Sequence, residues 1–87
     1  MTKREAKLWL EDEYPLTIIS DRYTGCYSGG NYLAFPEYYH QLSVEMDEDD
    51  VTCMMFWDKF RGIVGKGYTA EEALDNLRIE MVKLAEQ

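Results

Sequence analysis

The sequence has few of the residues that catalysis, metal binding or membrane insertion usually require. Its 87 residues include one histidine, His40, and two cysteines, Cys26 and Cys53. No apolar run approaches the roughly 20 residues that span a bilayer, and the N-terminus "MTKREAKLWLEDEYP" is too charged for a signal-peptide core. We therefore expect a cytoplasmic protein. Both cysteines should be reduced, because their spacing with a single histidine fits no zinc site.

Catalytic groups are also scarce. An enzyme needs a nucleophile with a base, a metal cluster, or paired carboxylates held in a pocket. Only His40 could serve as a base near neutral pH, so a hydrolase that pairs His40 with a nearby carboxylate is the weakest hypothesis. The acidic run of residues 45–50 lacks the glycine and the regular ligand spacing of a calcium loop. We expect a protein without catalysis, metal or cofactor.

Basic side chains are outnumbered, with 9 Lys and Arg against 17 Asp and Glu and a formal net charge of −8. Such a surface repels phosphate backbones and anionic lipid, so it disfavours nucleic acid and membranes and favours a basic partner protein. Acidity that only maintains solubility is the alternative. A mimic of DNA, with residues 11–13 and 45–50 imitating phosphates, is less favoured because nine basic residues interrupt the charge array.

Apolar residues make up 46% of the chain and aromatic residues 14%, which predicts one folded domain spanning residues 1–87. Two Thr-x-x-Glu capping boxes, Thr2 with Glu5 and Thr69 with Glu72, predict helix starts. The first helix should be short and end near Glu13, before Pro15. The last should be long and carry an apolar face formed by Ala70, Ala73, Leu74, Leu77, Met81 and Leu84.

Three short segments have strand composition: "PLTIIS", "NYLAFP" and "RGIVGKG". The second alternates in a way that predicts a strand covered on one side. A middle helix capped by Asp49 or Asp50 should follow a connection over residues 37–50, in which a short strand near Leu42 to Val44 is possible. Because nearly every residue of that helix is apolar, among them Cys53, Phe56, Trp57 and Phe60, we expect burial on more than one side.

The predicted fold class is therefore α+β. A three- to four-stranded antiparallel sheet should carry the long C-terminal helix across it, with a short N-terminal helix and a middle helix in addition.

Two stretches, "GGNYLAFPE" at 29–37 and "GIVGKGYTAEEALDNLRIEM" at 62–81, resemble the HicB antitoxin-like domain, of the kind found in small phage and prophage accessory proteins. The resemblance implies a truncated ribonuclease H-like sheet without that enzyme's carboxylate cluster, and a role against a host defence or toxin component. The chain departs from the pattern by the long insertion 37–60, and a DNA-binding segment after the last helix is not expected, so a self-repressing antitoxin role is not implied.

The stretch "DRYTGCYSGG" at 21–30 is the candidate ligand site. Arginine offers a planar donor fork to phosphate, aromatic rings stack on bases, and glycines let backbone N–H groups approach an anion. A hairpin connection that needs its glycines only for positive φ is the alternative. The sharper hypothesis is sequestration of an anionic nucleotide-like ligand by Arg22, Tyr23, Thr24, Tyr27 and Ser28.

The rival hypothesis is a stoichiometric, antitoxin-like inhibitor of a basic nuclease or effector. The predicted partner-binding residues are Tyr38, Tyr39, Asp47, Glu48 and Asp49. On the last helix, Ile79 and Val82 point away from the apolar face and predict a contact in a homodimer or higher homo-oligomer.

Overall fold

A computed structural model describes residues 1–87 and shows an α+β fold. Its three helices are α1 (Lys3–Asp12), α2 (Asp50–Lys59) and α3 (Ala70–Ala85). Its strands β1 (Thr17–Ser20), β2 (Tyr32–Phe35) and β3 (Gly65–Gly67) form one antiparallel sheet in the order β1-β2-β3. The predicted fold class is confirmed, with three strands.

Both predicted helix starts are confirmed, but only the first capping box is reciprocal, because the Glu72 carboxylate accepts from the Tyr68 backbone N–H and not from that of Thr69. Thr2 and Glu5 exchange side-chain to backbone hydrogen bonds at the start of α1, and the Thr69 hydroxyl accepts from the Glu72 backbone N–H at the start of α3. α1 ends at Glu13, which adopts a left-handed conformation with φ of 53°. Most of the predicted apolar face of α3 packs against the sheet, through Ala73, Leu74, Leu77 and Met81. Ala70 lies exposed in the first turn, and Leu84 is only partly buried.

An ion pair fastens the end of α1 to α3. The Arg78 guanidinium donates from Nε to Glu13 Oε2 over 2.5 Å and from Nη2 to Glu13 Oε1 over 2.8 Å. These hydrogen bonds hold the pKa of the Glu13 carboxyl below its ordinary value and raise the pKa of Arg78. The two helices are thus tied together beside their shared apolar contact with the sheet.

β2 is buried on both faces, which corrects the prediction of one-sided cover. Ala34 faces the cluster formed with α1 and α3, whereas Leu33 and Phe35 face a second cluster that contains Cys53 and Trp57 of α2. The sheet therefore has helices on both sides. The sequence pattern "YLAF" is apolar at every position, which is the composition of a strand with no solvent face.

Gly65 sets the distance between the sheet and α3. A Cβ atom built on Gly65 would lie 2.1 Å from the Ala73 carbonyl oxygen and 2.4 Å from the Leu77 backbone nitrogen. The backbones of β3 and α3 can approach this closely only because the strand has no side chain at that position.

The segment between β2 and α2 contains no strand, so the short strand expected near Leu42 to Val44 is wrong. It forms two 3₁₀ helices, Tyr39–Gln41 and Val44–Asp47. Asp49 then caps α2 as predicted, and its side chain accepts from the Thr52 backbone N–H. This hydrogen bond lowers the pKa of Asp49. Single 3₁₀ turns lack the repeated periodicity that would reveal them in a sequence.

α2 is buried on one side only, contrary to expectation. Cys53 and Trp57 face the core, while Val51 and Met55 are exposed on the opposite face and Met54 is exposed at its edge. Both cysteines are free, Cys53 buried and Cys26 exposed. The apolar outer face of α2 is therefore a surface feature.

Candidate functional site

The loop 21–30 is organised around a carboxylate of its own. Asp21 Oδ2 accepts from the Gly25 backbone N–H and from Ser28 Oγ, each over 2.7 Å, and Oδ1 accepts from the Tyr23 backbone N–H over 3.3 Å. Asp21 is 8% exposed and Ser28 is 2% exposed. The loop donors that could meet an anion therefore already surround a buried internal anion.

Positive φ angles allow the loop to close in this way. Thr24 has φ of 52°, Gly25 of 88° and Gly29 of 94°. A Cβ atom on Gly25 would also lie 3.1 Å from the backbone of Gly30. These positions fit the hairpin interpretation, in which glycine serves backbone conformation.

Arg22 and Tyr23 hold the loop to the segment before α2. Arg22 Nη1 donates to the backbone carbonyl of Asp47 and, over 3.3 Å, to that of Glu48, while the Tyr23 hydroxyl donates to the same Glu48 carbonyl. The guanidinium carbon of Arg22 also lies 5.3 Å from the centre of the Tyr23 ring. The structure thus gives the predicted ligand-binding arginine an internal role.

The other predicted ligand residues lie apart. Tyr23 and Tyr27 meet edge to face, with ring centres 5.5 Å apart, and pack on the core cluster of Leu33 and Phe35. Burial raises the pKa of both tyrosines. Thr24 is the only predicted ligand residue that lines a separate polar cavity of about 210 Å³. Lys66 and Glu72 also line this cavity. The predicted set does not converge on one site.

A groove does form where the loop meets the segment before α2. Its volume is about 520 Å³, and both predicted sets contribute to it. Its floor and walls combine Ile19, Leu42 and Val44 with polar side chains. The remaining contributors that carry charge or an aromatic ring are Arg22, Tyr39, His40, Asp47, Glu48 and Asp49.

Two exposed apolar side chains, Tyr39 and Val44, border the groove. Tyr39 is 71% exposed and Val44 is 73% exposed, although both are large apolar side chains. Tyr38 lies beside the groove, where its ring stacks on His40 with centres 5.5 Å apart and meets Tyr14 edge to face at 5.4 Å. The adjacent Tyr38 hydroxyl raises the pKa of Tyr14. Exposed aromatic rings of this kind are typical anchors in protein interfaces.

The acidic side chains of residues 45–50 have no cationic partner in the chain. The three ion pairs of the protein join Arg78 to Glu13, Arg78 to Asp75, and Lys83 to Glu80. Arg22, the nearest arginine, donates to backbone carbonyls of this segment. Nowhere do three potential metal-ligating side chains converge. Asp49 caps α2, whereas the carboxylates of Asp47 and Glu48 beside the groove have no partner within the chain and are free to interact with another molecule.

The predicted oligomer contact lies on α3, away from the groove. Ile79 is 51% exposed and Val82 is also exposed. Both edges of the short sheet, β1 and β3, are likewise unpaired on one side. Ile79 and Val82 do not line the groove, and the edge strands contribute only Ile19 of β1 to it.

Sequence reasoning missed two contributors to this region. One is Asp21, whose role depends on the loop folding back onto it. The other is the outer face of α2, formed by Val51, Met54 and Met55; their i, i+3, i+4 spacing was visible, but it lay within a run of apolar residues that also contains the buried face.

None of the three helices is both long and apolar enough to cross a membrane. Comparison with protein-family models, with curated proteins and with solved structures finds no match to the chain.

Proposed function

We propose that the chain is a small non-catalytic binding protein that acts stoichiometrically by docking a basic partner protein in the groove. The observation that carries the proposal is the combination, around one depression, of exposed apolar side chains, Tyr39 and Val44, with the carboxylates of Asp47 and Glu48, which have no ion-pair partner.

The two components of the groove would act at different stages of binding. A net charge of −8 attracts a basic partner over distances comparable to the Debye length and accelerates encounter. Exposed tyrosine rings then supply contact area at a low cost in side-chain entropy. Negative charge alone would attract basic proteins but bind them weakly, and exposed aromatic rings alone would bind apolar surfaces without selectivity.

The resemblance of residues 29–37 and 62–81 to HicB-like domains suggests the class of partner. It points to a toxin-like or defence-related nuclease or effector, and to a chain encoded by a phage or mobile element. The insertion 37–60, which departs from that pattern, contributes most of the groove. The partner specificity would then lie in the insertion.

The nucleotide-sequestering hypothesis has weaker support. Asp21 accepts the hydrogen bonds of Ser28 and two loop N–H groups, and backbone carbonyls accept those of Arg22 and Tyr23. The cavity beside Thr24 is smaller than the roughly 300 Å³ at which ligand pockets usually begin. DNA mimicry is also weaker, because Arg78 neutralises Glu13 within one of the two proposed acidic arrays.

Affinity capture tests the proposal. The tagged chain, an Asp47→Asn/Glu48→Gln variant and an Ile79→Ser variant are each incubated with host lysate. We expect the wild type and the α3 variant to retain a basic protein at low salt in a one-to-one ratio, and the groove variant to lose it. Equal retention by the groove variant would contradict the proposal.

Two companion measurements separate the remaining hypotheses. Calorimetry against cyclic and linear nucleotides should give no heat, and heat that Arg22→Ala abolishes would restore the ligand hypothesis. Sedimentation tests the proposed homo-oligomer. A monomer at high micromolar concentration would contradict it.

A further inference from the structure

The outer face of α2 is an apolar surface that the groove does not include. Val51, Met54 and Met55 lie at i, i+3 and i+4 on this face; Val51 and Met55 point away from Cys53 and Trp57, and Met54 lies at the edge of the face. Met55 is 47% exposed, and the other two are exposed to a similar or greater extent. A helix with apolar residues on both faces usually has a second partner on the outer one.

Two depressions flank Met55. One, of about 580 Å³, is bordered by Cys26, Tyr27 and Trp57, with Asp58 at its edge. The other, of about 520 Å³, is bordered by Phe56 and Phe60 and by the charged residues Glu45, Lys59 and Arg61. The indole N–H of Trp57 is buried without an acceptor in the chain. Aromatic walls on both sides of a flexible methionine form sockets for large apolar side chains, since methionine adapts its shape to what packs on it.

Charge along α2 is distributed unevenly. Asp49 and Asp50 lie at its N-terminal end, whereas the exposed Asp58 lies beside Lys59 and Arg61 at or just past its C-terminal end. A ligand that covers the apolar face therefore meets only negative charge at the N-terminal end of α2 and mixed charge at the C-terminal end. This difference favours a ligand whose cationic end lies beside Asp49 and Asp50.

We propose that this face binds an amphipathic helix of the partner protein, antiparallel to α2, with its basic C-terminal end beside Asp49 and Asp50. The inference rests on the proposed function, because it assigns a second contact surface to the same basic partner. A helix C-terminus favours cationic side chains, so this orientation satisfies the partner helix as well as the acidic end of α2. Its apolar side chains occupy the two depressions beside Met55.

A second copy of the chain fits the face less well. Each copy carries a net charge of −8, so self-association through α2 would bring two acidic surfaces together. A basic helix instead gains from that charge.

Binding of two labelled synthetic peptides tests the inference. Each has about 18 residues, a length that can form a helix on contact. Both have the same composition and the same lysine-rich C-terminal third. In the first, leucines recur at helical spacing; in the second, they are scrambled so that no apolar face forms. We expect the first peptide to bind at least about tenfold more tightly than the second by fluorescence anisotropy.

Two matched variants locate the contact. Met54→Ser/Met55→Ser should reduce the affinity for the amphipathic peptide about tenfold, whereas Ile79→Ser, which removes a similarly exposed apolar side chain from α3, should leave it unchanged. A readout that needs no variant is the alkylation rate of Cys26, which borders one depression and is the only exposed thiol. The bound peptide should slow that alkylation.

The outcomes distinguish the inference from the proposed function. Equal binding of both peptides, insensitive to Met54 and Met55 but lost in Asp47→Asn/Glu48→Gln, would overturn the inference and leave the proposed function standing. Failure of both peptides to bind would overturn the inference, and if the chain also captured no basic protein, the proposed function would be overturned as well. A dimer in sedimentation that Met54→Ser/Met55→Ser dissociates would also overturn the inference, because it would assign the face to a second copy.

Discussion

The loop 21–30 and the neighbouring segment 38–50 differ in how their polar groups are satisfied. In the loop, Asp21 collects donors from Tyr23, Gly25 and Ser28, and all of these contacts are internal. In the segment, the carboxylates have no ion-pair partner, and apolar side chains such as Tyr39 face solvent. Polar residues that look functional in a sequence can thus serve only to hold a loop in its folded conformation. Polar groups that the fold leaves unpaired indicate instead where another molecule binds.

The largest expected effect is the loss of the buried acceptor in the loop. Asp21→Ala removes the partner of the Ser28 hydroxyl and of two backbone N–H groups, each of which costs about 1–3 kcal/mol when left unsatisfied. We expect the free energy of unfolding in urea to fall by roughly 3 kcal/mol. Asp47→Ala, which removes an exposed carboxylate and keeps the backbone carbonyl, is the matched control and should change it by less than about 0.5 kcal/mol. If the free energy of unfolding decreased by a similar amount in the two variants, the hydrogen bonds of Asp21 would not distinguish the loop from the segment.

The next effect concerns the attachment of the loop to the segment. Arg22→Ala removes the hydrogen bonds to the Asp47 and Glu48 carbonyls, so unfolding in urea should become easier by about 1 kcal/mol. Tyr23→Phe, which removes only the hydroxyl that donates to Glu48, should cost a similar or smaller amount. If neither substitution changes stability, the two contacts do not hold the loop in solution, and Arg22 is again available as a ligand residue.

The smallest effect is the acid dependence of stability. The folded-state pKa values of Glu5, Glu13 and Asp49 are lowered by hydrogen bonds to Thr2, Arg78 and Thr52 respectively. A carboxyl with a depressed pKa binds fewer protons when folded, so its contribution is complete above its unfolded pKa and is lost as pH falls through the folded value. Urea midpoints should be flat from about pH 7 to 5 and fall below about pH 4.5.

A matched variant isolates one of these carboxyls. Glu13→Gln removes the charge that Arg78 contacts, so the free energy of unfolding should decrease less on acidification than in the wild type. We expect the difference to be well under about 1 kcal/mol because the pair is partly exposed. Stability that rises on acidification in the wild type would contradict the assignment of these shifts.

The elements that the sequence predicted correctly have strong local signals. The capping boxes at Thr2 and Thr69 place the starts of α1 and α3 because they depend on residues three apart. The Asp49 cap of α2 is local in the same sense. Such features need no knowledge of tertiary structure, which explains why they could be located in advance.

The errors arose where contacts distant in sequence decide the outcome. The two-sided burial of β2 depends on α2 packing beneath it, and the role of Arg22 depends on carbonyls 25 and 26 residues away. The partner-binding residues Tyr39, Asp47, Glu48 and Asp49 were predicted, and the structure places them around one groove. That they bind a partner stays a prediction, as does the ligand site.

Backbone amide chemical shifts of isotope-labelled protein, followed during titration with the amphipathic lysine-ended peptide, test the central claim most directly. We expect the amides of Met54 and Met55, on the face that binds the peptide, and those of Asp49 and Asp50, beside its lysine-rich end, to shift with saturation, while those of Gly25, Ser28 and Gly29 do not move. The same three loop amides should also stay fixed when a nucleotide is added. Saturable shifts confined to Gly25, Ser28 and Gly29, with none in the segment, would contradict the account.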